Sequence, residues 1–155
     1  IATYLESQNV NDYLVEIGGE IRCKGMNKEK QSNWMVGIDK PNFDGSQSVI
    51  KAINLIDGAM ATSGTYRKFK LDAEGNRYAH IIDTETGYPS KTNVLSVSVI
   101  ANDCMTADAY ATAFQAMGIN KVSELLKTHP ELKVFFIFEN ESKELETLTL
   151  NGFPE

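Results

Sequence analysis

Apolar and polar positions alternate through much of the first hundred residues, and helical spacing takes over only late in the chain. Tyr13, Val15, Ile17 and Ile21 predict a strand over 12–23, interrupted at Gly18-Gly19, where paired glycines imply a bulge or a close backbone approach. Residues 24–32 are polar around Gly25 and predict a turn, after which 34–38 returns as the second strand of a hairpin. Proline, asparagine, aspartate and glycine make 41–46 a loop. The spacing in 49–56 fits strand or short helix, and the Asp57-Gly58 turn signal favours strand. A strand over 59–62, a hairpin of 66–71 with 77–82 closed by 73–76, and a strand over 94–100 rich in valine follow.

The strongest helix spans 105–117 and stops at Gly118; a second covers 122–128 and is closed by His129-Pro130. Residues 134–138 read as a buried strand and 145–150 as the last one. Ile1, Tyr4 and Leu5 sit at helical spacing, so 1–6 reads as the last turns of a helix stopped by Asn9 and Asn11, one that has lost its own start. Strands first and helices mostly late predict an α+β fold: a mostly antiparallel sheet with helices packed on one side, in a single domain over 1–155.

Composition narrows the function classes. With 155 residues, 42% of them hydrophobic, the chain is long enough for one core. The net charge of −6, with lysine and arginine scattered, argues against nucleic acid as a partner, because counterion displacement needs a basic stripe. Cys23 and Cys104 have no second cysteine or histidine at metal-ligand spacing and read as buried or free thiols. The apolar runs are far shorter than a membrane span.

Four segments carry candidate chemistry. On the main helix, Asp108 and Thr112 stand four residues apart among alanines, so both oxygens share one face and can converge on a hard cation or a phosphate. The commoner meaning of such a pair is a core helix with a favourable N-terminal carboxylate. Thr62, Ser63 and Gly64 place hydroxyls beside a glycine at a strand end, suited either to phosphate oxygens or to an ordinary turn. His80 stands just before the Asp83–Gly87 turn, where near-neutral basicity suits proton handling or a phosphate hydrogen bond; His129 reads as structural. Glu20 and Arg22 point alike from one strand and can pair, while Gly18-Gly19 permits close backbone approach.

As an ordered set, Glu16-Ile17-Gly18-Gly19-Glu20, Ala61-Thr62-Ser63-Gly64, His80-Ile81-Ile82-Asp83-Thr84-Glu85-Thr86-Gly87 and Thr106–Ala113 resemble the second half of the FAD:protein FMN transferase family, the ApbE family. The resemblance runs from about residue 10 to 117. One departure is Thr84, where family members often carry proline, a change expected to alter turn stiffness more than chemistry. The resemblance implies a Mg²⁺-dependent enzyme that moves FMN from FAD onto a threonine of an acceptor flavoprotein and releases AMP. It places Gly18, Gly19, Glu20, Thr62, Ser63, Gly64, His80, Ile82 and Asp83 at the flavin nucleotide, with His80 in the active site as either a catalytic proton handler or a phosphate contact. Asp108 and Thr112 become the metal ligands, with the Ala111 carbonyl a third oxygen. It further implies an N-terminal half that adds nucleotide contacts and a backbone metal ligand, and a bacterial, exported, often lipid-anchored protein facing the periplasm. A non-catalytic flavin-nucleotide-binding domain and an FAD pyrophosphatase giving FMN and AMP are the alternatives.

Overall fold

The computed structural model describes residues 1–66, 69–71, 77–79 and 81–155. Its frame is a six-stranded sheet in the order β1 (Tyr13–Ile17), β2 (Glu20–Lys24), β5 (Ala59–Gly64), β8 (Val94–Ala101), β9 (Lys133–Glu139) and β10 (Leu145–Leu150). Every neighbouring pair in it is antiparallel. A short helix, α1 (Ala2–Ser7), precedes the sheet, and α2 (Cys104–Met117) and α3 (Ile119–Leu126) connect β8 to β9. Two smaller hairpins complete the chain: β3 (Trp34–Asp39) with β4 (Val49–Leu55), and β6 (Phe69–Leu71) with β7 (Arg77–Ala79). The α+β class and the mostly antiparallel sheet expected from the sequence are found here.

The interrupted strand is a hairpin. Ile17 faces Glu20 in register, and Gly18 (φ 69°) and Gly19 (φ 107°) form its two-residue connection. Both positions lie in the positive-φ half of the map, which a tight turn between right-twisted strands demands and glycine supplies without a Cβ clash. The paired glycines therefore reverse the chain, and no bulge forms between β1 and β2. A second difference concerns partners. β3 pairs with β4, Val36 opposite Ile53, and belongs to a separate sheet from β2.

That separate hairpin covers one face of the main sheet. Val36, Ile38, Ile53 and Leu55 turn inward onto Ile21, Cys23, Met60, Phe135 and Ile137, while Met35 on the other side of β3 is 71% exposed. On the opposite face, Ala107, Ala111 and Phe114 of α2 pack with Val122 and Leu126 of α3 onto Ala61, Val97, Val99, Val134 and Phe136. β8 is consequently buried on both sides: Val97 and Val99 face the helices, and Ser96 and Ser98 face the hairpin layer. Small residues at 107 and 111 let α2 lie close over β5 and β8.

Candidate functional site

α2 begins at Asp103, whose extended backbone (φ −147°) and side chain cap the helix. Asp103 Oδ1 accepts from the Thr106 backbone N–H at 2.8 Å, and the Thr106 hydroxyl donates to Oδ2 at 2.9 Å. These bonds, the backbone one first, hold the Asp103 carboxyl below its ordinary value. The role of N-terminal charge is therefore filled by Asp103, and Asp108 sits a turn further in. Asp108 and Thr112 are both exposed, and neither side chain has a hydrogen-bond partner among the described residues. α2 is a core helix, but Thr112 lies on its exposed side and Asp108 lies beyond its first turn.

Glu20, at the start of β2, belongs to the same neighbourhood. Burial pushes the Cys104 thiol up, and the Glu20, Asp103 and Asp108 carboxylates push it further while Arg22 opposes them. Arg22 does not pair with Glu20; its Nη1 donates to the Asn102 carbonyl at 2.9 Å and ties β2 to the start of α2. A Cβ on Gly18 would lie 3.0 Å from Glu20 Oε2, so glycine there leaves room for that carboxylate. Ala111 is fully buried and lies in the hydrogen-bonded interior of α2, so its carbonyl reaches a metal only through its second lone pair.

The end of β5 divides between the two faces. Thr62 Oγ1 lies 2.7 Å from Ser98 Oγ on the hairpin side, away from α2, and Ser63 takes the helix side by alternation. Gly64 has a positioning role. A Cβ there would meet the Tyr66 ring at 3.0 Å and the Leu95 carbonyl at 3.3 Å, so the absent side chain is what lets that ring lie against the strand.

Tyr66 forms one wall of a cleft of about 1350 Å³ at one end of the sheet. Aromatic side chains of Phe43, Tyr66, Tyr78 and Tyr88 line it, Lys91 and Lys121 add positive and Asp83 and Glu139 negative charge, with Lys121 3.4 Å from Glu85 Oε2, and Gln115, Ala116 and Met117 form the α2 side. A cleft of this size and composition suits a ligand with planar rings. Its outer wall is the 81–92 segment. Ser90 N–H donates to the Ile81 carbonyl at 2.9 Å, Ile82 bridges Pro89, and Asp83 N–H donates to the Tyr88 carbonyl at 2.9 Å. Asp83 Oδ1 accepts from the Glu85 and Thr86 backbone N–H groups, and Gly87 (φ 73°) closes the turn. The turn thus forms with Thr84 in place of proline. Ile82 is 48% exposed beside it, and Asp83 lines the cleft. His80 lies outside the described residues, as does the 73–76 turn.

The wall is anchored to the C-terminal end of α2, where carbonyls lack helical partners. The Ser90 hydroxyl donates to the Ala116 carbonyl at 2.9 Å and the Thr92 hydroxyl to the Gln115 carbonyl at 3.2 Å. Asp108, Thr112 and Ala116 fall one turn apart on a single stripe of α2, and Ala116 lines the cleft. One helix thereby connects the oxygen pair to the aromatic cleft, with Asp108 about 12 Å along the axis from Ala116.

Phe43, Tyr66, Tyr88 and Gln115 were not singled out by sequence reasoning. The aromatics had no motif to mark them. Gln115 falls four residues after Ala111 and eight after Ala107, a stripe whose burial shows only once the sheet beneath the helix is known.

A profile of the ApbE family matches residues 1–136. The chain is 48% identical over 118 residues to a FAD:protein FMN transferase of Vibrio cholerae, covering 76% of this chain and 34% of that protein. It is 39% identical over 142 residues to one from Haemophilus influenzae, covering 92% of this chain and 40% of that protein. The solved structure of the flavin transferase ApbE from Vibrio cholerae superposes with a TM-score of 0.80 at 38% identity, over 96% of this chain and 45% of that one. The apo form of the Pseudomonas stutzeri flavinyl transferase ApbE gives a TM-score of 0.78 at 29% identity, over 96% and 44% of the two chains. The chain thus spans less than half the length of these relatives. With both its sequence and its overall fold in accord with them, the chain belongs to the ApbE family.

Proposed function

We propose that this chain carries the cation-binding and part of the nucleotide-binding machinery of an FAD:protein FMN transferase, acting on FAD with a threonine of an acceptor flavoprotein. The observation that carries the reading is the stripe of α2: an exposed acid and hydroxyl without partners of their own, leading into an aromatic cleft, in a chain of this family. Two hard oxygens with open lone pairs fit Mg²⁺, which keeps waters and substrate phosphates in the rest of its shell. Asp108 and Thr112 would hold it, Ala111 only by sharing its helical carbonyl, and Glu20 adds negative charge nearby. Bound there, Mg²⁺ supplies neutralisation of pyrophosphate charge.

The remaining parts have separate duties. Tyr66, Tyr78, Tyr88 and Phe43 offer ring faces to a planar group, and Lys91 and Lys121 offer charge to phosphate oxygens. In the transfer the acceptor hydroxyl oxygen bonds the FMN-side phosphorus, the bond to the bridging oxygen breaks, and AMP leaves with that oxygen; the hydroxyl proton is lost. Such a step needs positioning and charge stabilisation more than covalent help. His80 is assigned to proton handling or a phosphate contact, and Ser63, on the helix side of β5, to a phosphate contact.

The test measures AMP release from FAD in the full protein while Mg²⁺ is titrated, with and without acceptor flavoprotein. Asp108→Asn and Thr112→Val are expected to raise the Mg²⁺ needed for half-maximal release severalfold or more, with melting temperatures within a few degrees of wild type. Unchanged metal dependence in both variants overturns the metal assignment. AMP release that is equal with and without acceptor, with no flavin attached, identifies hydrolysis instead of transfer.

A further inference from the structure

The transfer reaction leaves one buried polar group unexplained. Gln115 is 1% exposed, on the face of α2 otherwise made of Ala107, Ala111 and Phe114. Its Nε2 donates to the Val94 carbonyl at 2.6 Å, which fixes the plane of the amide. Its Oε1 is buried and has no hydrogen-bond partner among the described residues. An apolar side chain would fill the position without orphaning an acceptor, so the amide needs another reason to be there.

Its place in the fold supplies one. Gln115 contributes to the cleft beside Thr92, Val94 and Met117. Nε2 has given one of its two N–H groups to Val94, and the group left wholly without a partner is the acceptor Oε1. Phosphates and carboxylates are acceptors too and cannot satisfy it. The aromatic side chains of the same cleft suit the faces of a planar ring, and a ring held on its faces presents its edge to a helix flanking the cleft.

We propose that Gln115 is a specificity-determining residue of the cleft, its Oε1 accepting a hydrogen bond from an N–H on the edge of a planar heteroaromatic ring. The inference rests on the reading of the cleft as an FAD site, and FAD carries two such edges, the imide N–H of the flavin and the exocyclic amine of adenine. The oxygen is covered in the free protein, so the ring must displace what covers it; the bond then forms only in the complex.

Affinity measurements on the full protein by calorimetry decide the matter, using FAD, FMN, N3-methyl-FMN, AMP and purine riboside monophosphate, which lacks the exocyclic amine. Wild type is expected to bind one of the two analogues about tenfold more weakly than its parent, equivalent to ~1.4 kcal/mol. Discrimination against N3-methyl-FMN assigns the bond to the flavin, and discrimination against purine riboside monophosphate assigns it to adenine. Gln115→Met is expected to lose that discrimination, and so is Gln115→Asn, whose shorter side chain withdraws the acceptor while keeping an amide. Should Gln115→Met not fold, Gln115→Asn carries the test, and a Gln115→Asn protein that still discriminates as wild type does overturns the role of Gln115. Wild type that binds FAD but treats both analogues like their parents overturns the role of Gln115 alone. Wild type that binds none of FAD, FMN and AMP overturns the reading of the cleft itself.

Discussion

Two aspartates five residues apart on one helix do different work, and hydrogen bonding separates them. Asp103 spends its carboxylate on the Thr106 N–H and hydroxyl, whereas Asp108, exposed a turn further in, has no such partner. Asp103→Ala is expected to cost about 1 kcal/mol, within a range of ~0.5–2, in urea unfolding at neutral pH. Because the folded carboxyl is held below its ordinary value, its stabilisation is fully present above the unfolded value and lost as pH falls through the folded one. The gap between wild type and Asp103→Ala should therefore narrow as pH drops below about 4. The i, i+4 spacing of Asp108 and Thr112 was readable in the sequence, because helix geometry is fixed. The exposure of Thr112 was not, since alanines on every side of the helix leave the buried stripe undefined until the sheet beneath it is known.

Among the elements, the strands were legible and their partners were not. The apolar return after the turn at 24–32 marked 34–38 as a strand, but such a pattern says nothing about which edge is paired. The hairpin over the second face of the sheet, formed by β3 with β4, was thus invisible as a layer. Glycine signals were easier to place at helix ends than inside strands. Gly118 ends α2 and begins α3 with φ 76° and ψ 167°, a conformation almost confined to glycine. A Cβ there would also lie 3.3 Å from Thr92 Cγ2, on the cleft wall. Gly118→Ala is expected to lower stability by roughly 1–3 kcal/mol. Thermal unfolding checks the loss, and under the proposed FAD binding a displaced Thr92 should also reduce the stabilisation that added FAD confers.

At the scale of the whole molecule, stability rests on the central strands pressed between two layers. Phe136 is fully buried on the helix side, so Phe136→Ala is expected to cost about 3–5 kcal/mol in chemical denaturation. Met35, exposed on the outer face of the β3–β4 hairpin, should cost within about 0.5 kcal/mol when changed to alanine. The burial of Phe136 follows from the unbroken apolar run of β9 and the exposure of Met35 from the alternation of β3; which of the layers each faces follows only from the topology. That topology has a history-laden consequence. The sheet is a plain meander, and each departure from it returns to the neighbouring strand: β3–β4 between β2 and β5, β6–β7 between β5 and β8, the two helices between β8 and β9. Most of the cleft hangs on these excursions, Phe43 on the first, Tyr66 to Thr92 on the second, Gln115 to Lys121 on the third. Descendants of such a chain are free to lengthen, shorten or rewrite one excursion at a time, acquiring new ligand preferences while the meander that holds them stays the same.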